Sequence, residues 1–172
     1  MKMLTFITKT DFKDESLSLV KTFFEKWKIE NTIATYSATQ ATGYHGSMLP
    51  VGIDMAKAKP ADYEGIVLID GKGIESSRIY EYRPLLDMVT MFNNANKYII
   101  AFDNAIKVVA RANIIANKRV SAYDTELKRL VLLFHGIPVE EPIVRFNNLI
   151  TLGNSKLIEN QMVNILKYIG VA

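Results

Sequence analysis

The chain has 172 residues, with 21 Lys plus Arg against 18 Asp plus Glu and a formal net charge of +3. Hydrophobic residues make up 49% and charged residues 23%, so a core can form without a metal or disulfide staple. There is no cysteine, which excludes disulfides, a thiolate nucleophile, thiolate metal sites and cysteine redox chemistry. The basic residues are scattered, with pairs such as Lys118-Arg119 and Lys128-Arg129 and no stripe interleaved with aromatics. Nucleic acid is therefore not an expected partner. The longest apolar runs, Tyr98 to Phe102 and Leu130 to Phe134, are far too short to span a bilayer. Lys9 and Asp11 interrupt the apolar stretch Met3 to Ile7, which argues against a secretory signal. The expectation is a soluble, cytoplasmic protein. No repeat or Pro/Gly-rich linker divides the chain, so residues 1–172 read as one domain.

Met3 to Thr8 reads as a buried strand ended by a polar cluster. Leu17, Val20, Phe23, Phe24 and Trp27 then recur at helical spacing. Thr32 to Tyr36 predicts a second strand, and Ile66 to Ile69 a third that meets the tight turn Asp70-Gly71-Lys72-Gly73. Pro84 suits the first turn of a helix whose buried face carries Leu85, Leu86, Val89 and Phe92. Tyr98 to Phe102 is another strand, with Asp103 at its end and a helical stretch from Ala105 to Ala110. Leu127 to Phe134 predicts a helix stopped by His135-Gly136, with Pro138 beyond. Pro142 to Arg145 and Leu149 to Leu152 read as short strands around Asn147-Asn148. Ile158, Met162, Ile165, Leu166 and Ile169 close the chain as an amphipathic helix. Strands alternating with helices predict an α/β fold with a mainly parallel sheet covered on both faces. Such sheets carry their sites at the carboxyl ends of strands, here Thr8 to Asp14, Asp70 to Glu75 and Asp103-Asn104.

Phe102-Asp103-Asn104 has the pattern of a sharp strand-to-helix turn that presents one side chain above a sheet. Asp tolerates the positive φ such a turn needs, and it is also a good helix N-cap. The cap is the plainer reading of Asp103, because it needs only local backbone. His45 and His135 are the only histidines and share no metal-ligand spacing, so both read as structural. Lys107, Arg111 and Arg78 read as exposed helix charge, with an interface or anionic pocket as the alternative. No cofactor motif is present.

These residues carry a family resemblance. Ile99 to Ala105, continuing through Val109-Ala110-Arg111-Ala112 to Lys118-Arg119-Val120-Ser121-Ala122-Tyr123, resembles the ThiJ/PfpI superfamily. In that superfamily the same stretch is a strand, a Cys-His-Gly elbow, a helix and a basic turn. Asp11-Phe12-Lys13-Asp14, Thr42-Gly43-Tyr44-His45-Gly46, Ala61 to Leu68 and Asn148-Leu149-Ile150-Thr151 resemble further family blocks in the same order. The resemblance runs from about Leu4 to Tyr168 and is nearest the intracellular protease I branch. It implies a flavodoxin-like three-layer sandwich, self-association as a dimer or larger homo-oligomer, and cysteine-dependent hydrolysis or glyoxalase and deglycase chemistry.

The departures from the family pattern fall on its site. Asp103 stands where the resemblance places the nucleophilic Cys, and Asn104 where it places His. Lys13 stands where the family has the Glu that hydrogen-bonds the thiolate, and Asp70-Gly71 where Gly-Gly helps form the oxyanion hole. Glu75 matches an acidic position that, in the protease I branch, reaches a neighbouring subunit's site. The changes at Lys13 and Asp103 predict an ion pair between them, which would make the carboxylate a poor base. Three readings follow, in order of preference. The chain is a non-catalytic binding or structural member; or Asp103 is a carboxylate nucleophile; or Asp70, Asp103 and Glu75 hold a hard cation, against which Lys13 and Lys72 argue.

Overall fold

The apolar runs around residues 2–6, 65–68, 98–102 and 149–152 pair as parallel strands of one sheet, in a computed structural model that describes residues 1–172. The first part of the chain forms β1 (Lys2–Phe6), β2 (Thr10–Phe12), α1 (Asp14–Lys26), β3 (Glu30–Thr35), β4 (Gln40–Gly43), β5 (Met48–Pro50) and β6 (Ile53–Asp54). The middle forms β7 (Gly65–Leu68), α2 (Gly73–Ser76), α3 (Arg83–Asn94), β8 (Tyr98–Phe102) and α4 (Ile106–Arg111). The last part forms β9 (Arg119–Ser121), α5 (Thr125–Leu133), β10 (Ile137–Val139), β11 (Val144–Phe146), β12 (Leu149–Leu152) and α6 (Ile158–Tyr168).

Seven strands make the main sheet in the order β11-β12-β8-β7-β1-β3-β6, and only β11 runs antiparallel to its neighbour. The five central strands follow the flavodoxin order, as expected. Successive side chains on each strand enter opposite cores. Leu4, Phe6, Ile66, Leu68, Ile99 and Ala101 join the side chains of α3, α4 and α5. Met3, Ile7, Val67, Ile69, Ile100 and Phe102 join those of α1 and α6 on the other face. Both faces are buried, which is why the strands read as unbroken apolar runs rather than alternating ones.

The register sets the site. Phe6 pairs with Ala34 and Leu68, Leu68 with Ala101, and Ala101 with Thr151, so these residues form one row across the sheet. The segments leaving β1, β7, β8 and β12 therefore emerge along one edge. The chain passes from β1 to β3 on one side and to β7 on the other, so the switch point lies between β1 and β7.

Two small sheets escaped the sequence reading. One is β2-β4-β5 and the other β9-β10, each built from strands of three or four residues. Such pieces are too short to show a period of two. The strand expected at Pro142 to Arg145 lies instead at Val144–Phe146, those at Tyr98–Phe102 and Leu149–Leu152 fall as expected, and the other predicted boundaries shift by about one or two residues.

Candidate functional site

Phe12 forms an antiparallel bridge with Gly71, and the Lys13 N–H donates to the Asp70 carbonyl at 2.8 Å. This backbone seam ties the loop after β1 to the loop after β7 across the switch point. Gly71 is required there. Its φ is +144°, and a Cβ would lie 2.5 Å from the Asp11 carbonyl oxygen and 2.6 Å from the Lys13 nitrogen. The next loop is tied in through Asp14, whose carboxylate accepts the N–H groups of His45 at 2.8 Å and Ser47 at 3.2 Å. Burial alone would raise the Asp14 pKa, but those donors outweigh it and hold the carboxyl below its ordinary value. A Cβ on Gly43 would meet Asp14 Oδ1 at 2.1 Å, so a larger residue there would displace the Asp14 carboxylate.

After β8 the chain turns sharply at Asp103, which holds φ at 44°, and enters a short 3₁₀ turn leading into α4. The left-handed conformation makes this the strand–turn–helix elbow that the sequence pattern suggested. Asp103 does not cap the helix that follows it. Its Oδ2 instead accepts the N–H of Ser155 at 3.2 Å, at the start of the turn before α6. The cap reading is thus corrected, because the positive φ directs the carboxylate across the strand ends and away from its own helix. Asn104 makes two hydrogen bonds to Gly71. Its Nδ2 donates to the Gly71 carbonyl at 2.7 Å, and its Oδ1 accepts the Gly71 N–H at 3.1 Å. Only this orientation of the amide satisfies both backbone groups. Of the Asp70-Gly71 backbone that the resemblance sets at an oxyanion hole, the Gly71 N–H is already occupied.

Lys13, Asp70, Gly71, Asp103, Asn104 and Ser155 line one cavity of about 370 Å³. Asp70 is only 3% exposed, and its Oδ1 has no hydrogen-bond partner. Burial pushes its carboxyl up to about 6, only partly opposed by Ser16 and by the Lys13 ammonium. The expected Lys13–Asp103 ion pair is not formed. Lys13 Nζ lies 4.0 Å from Asp70 Oδ2 instead, because the backbone seam sets Lys13 beside Asp70. At the cavity rim Lys72 donates to the Tyr44 hydroxyl at 3.0 Å and lies 4.3 Å from that ring's centre, while His45 Nε2 lies 3.0 Å from Glu15. His135 sits at φ 64°, and its N–H closes the last turn of α5 on the Leu132 carbonyl.

Glu75 does not join this group. Its Oε2 lies 2.7 Å from Lys107 Nζ, and its Oε1 accepts the Tyr80 hydroxyl at 2.7 Å. Both contacts hold the Glu75 carboxyl below its ordinary value. Asp70, Asp103 and Glu75 therefore do not converge as the ligand set considered for a hard cation, and no three His, Asp or Glu side chains do so elsewhere. Lys107 itself is only 8% exposed, contrary to its reading as surface charge. Burial would lower its pKa, but the carboxylates of Glu75 and Glu126 outweigh that and keep the ammonium above its ordinary value. Arg78 is exposed and pairs with Glu81 at 2.6 Å.

A family model described as the DJ-1/PfpI family matches residues 1–167. The chain belongs to the DJ-1/PfpI family. An uncharacterized protein of Methanocaldococcus jannaschii is 26% identical over 150 residues, covering 83% of this chain and 73% of its own length. Among solved structures, a ThiJ/PfpI domain protein from Brachyspira murdochii superposes with a TM-score of 0.91 at 15% identity, covering 99% of this chain and 97% of that one. Drosophila melanogaster DJ-1beta superposes at 0.84 with 17% identity, covering 99% and 91%. A protein provisionally called protease I from Bacteroides thetaiotaomicron superposes at 0.85 with 14% identity, covering 96% and 97%. At these identities the likeness is one of fold. No helix of this DJ-1/PfpI chain is long and apolar enough to cross a membrane.

Sequence reasoning missed Ser155, Ser16 and the Lys107–Glu75–Tyr80 cluster. Ser155 follows the end of β12, so the strand-end rule already pointed there. The Lys107 cluster gave no such signal, since its members come from three separate segments.

Proposed function

We infer that this chain is a non-catalytic member of the DJ-1/PfpI family, which keeps the cavity above the strand ends as a binding site for a small polar molecule. The observation that carries this reading is the double hydrogen bond from Asn104 to Gly71. In a chain without cysteine, it also ties up the Gly71 N–H, a backbone donor on the loop facing the elbow. The Asp103 carboxylate is held by Ser155, and the neighbouring Asp70 would repel a developing oxyanion. The cavity itself remains, lined by cations at Lys13 and Lys72 and acids at Asp70 and Asp103.

Steady-state assays with methylglyoxal, a generic peptide and a p-nitrophenyl ester test the reading. The expected result is no turnover above that of Asp103→Asn. A turnover that disappears in Asp103→Asn would establish the carboxylate as a nucleophile and overturn it. A second arm restores the family residues together, as Asp103→Cys with Lys13→Glu and Asn104→His. Gain of a thiol-dependent turnover is expected, because the backbone around the cavity is intact. Continued inactivity in a folded variant would overturn the claim that the cavity is preserved.

A further inference from the structure

A second cavity of about 250 Å³ lies between α4, α5 and the segment holding Glu75 and Tyr80. It shares no lining residue with the cavity above the strand ends. Lys107 and Arg111 stand one helical turn apart on α4, while Glu126, Arg129, Leu130 and Leu133 share one face of α5. The charges here are unevenly met. Lys107 Nζ is matched by two carboxylates, Glu75 at 2.7 Å and Glu126 at 3.3 Å. Arg111 and Arg129 form no ion pair within the chain. The two carboxylates are committed to Lys107, so the positive excess of the cavity resides on the two guanidiniums.

Arg111 is also held in place. Its guanidinium carbon lies 5.4 Å from the Tyr80 ring centre and 5.6 Å from that of Phe134. Two aromatic contacts fix the fork while leaving its N–H edge without a protein acceptor. A preorganised cation costs less entropy when an anion arrives. The opposite wall is apolar, with Leu130 and with Leu133, which is 67% exposed. The volume falls below the range of roughly 300–1,000 Å³ typical of drug-sized ligands, so the occupant is small.

We propose that this cavity binds a small amphipathic monoanion, a carboxylate on a short apolar body, with Arg111 and Arg129 taking the carboxylate and Leu130 and Leu133 covering the apolar part. A single excess positive charge matches a monoanion rather than a phosphate dianion, and a bare phosphate leaves the leucine wall unused. Bidentate geometry also favours arginine over lysine for a planar carboxylate.

Calorimetric titration with hexanoate, hexan-1-ol and inorganic phosphate tests the site. Hexanoate is expected to bind saturably and at least tenfold more tightly than either control. Arg111→Gln should weaken it tenfold or more, and Arg111→Lys should recover only part of that loss. Lys72→Gln, which removes a cation from the other cavity, should leave hexanoate affinity unchanged. Arg111 is exposed, so a Tm close to that of the original chain will show that the variants fold. Hexanoate affinity unchanged in Arg111→Gln, or lost in Lys72→Gln, overturns the proposal. So does an affinity equal to that of hexan-1-ol or phosphate. An apparent affinity that falls as protein concentration rises would mean that a second copy of the chain covers this face, and would overturn it too.

Discussion

The segment from Asp70 to Glu75 contributes to two cavities that treat their polar groups in opposite ways. Above the strand ends, the backbone of Gly71 is taken by Asn104, the Asp103 carboxylate by Ser155, and Lys72 by Tyr44. Asp70 is sealed behind them. Beside α4 and α5, only the buried lysine is neutralised, and two guanidiniums face the cavity without a carboxylate. A constellation whose donors are consumed internally is poorly placed to stabilise a transition state, since catalysis needs donors aimed at charge that has yet to develop. An unneutralised, oriented guanidinium is suited to binding. On the proposed function, the difference teaches that location at the family's site and readiness for chemistry are separate properties.

The largest effect should come from breaking the seam that shapes the first cavity. Gly71→Ala adds a Cβ against two backbone segments at a positive φ, and should cost about 3 kcal/mol or more in chemical denaturation. A loss below about 1 kcal/mol would mean that the seam yields easily.

Asp70 gives a pH-dependent test of the same region. Its folded pKa of about 6 lies above the ordinary 3.8, so its protonated form stabilises the fold. That contribution is fully present below pH 3.8 and is lost as pH rises through about 6. The loss is on the order of 3 kcal/mol at one decade of proton affinity per 1.36 kcal/mol. Asp70→Asn should therefore flatten the stability profile between those limits and gain on the original chain above pH 6. A profile with the same slope in both proteins would show that Lys13 and Ser16 compensate the buried charge.

Asn104→Ala removes both hydrogen bonds to Gly71 and should cost about 2 kcal/mol. Asn104→His also supplies a proton acceptor, so it should restore more than Asn104→Ala to the cysteine-bearing variant, and equal gains would mean that the amide alone closes the first cavity to chemistry. Smallest is the lysine of the second cavity. Lys107→Met loses two charge-assisted hydrogen bonds, but the Glu75 and Glu126 side chains are 55% and 75% exposed. Water can replace the lysine at both, so about 1–2 kcal/mol is expected in thermal denaturation. A larger loss would place Lys107 among the structural cores rather than at a cavity floor.

Several of these features were legible in the sequence. The strands after Met1, Glu64 and Lys97 are apolar runs long enough to announce themselves, and α1, α3 and α6 show their buried stripes. The elbow at Asp103 was readable because a polar residue ends an apolar run just before a helix. The ion pair expected between Lys13 and Asp103 was not readable in this way. Residue types made it plausible, but the Phe12–Gly71 bridge decides which acid Lys13 meets. Lys107 was misread for a similar reason. Nothing within α4 distinguishes a lysine that solvent surrounds from one covered by α2 and α5.

By itself, then, the sequence determined the α/β order of elements, the strand-end positions of Asp70, Asp103 and Asn104, and the absence of any thiol, since these depend on local pattern and composition. Only the tertiary structure decided how the charges are met: Asn104 on Gly71, Ser155 on Asp103, Lys107 between two glutamates, and Arg111 with none. Those pairings span tens of residues, and they are fixed by strand register and helix packing, which no local pattern encodes.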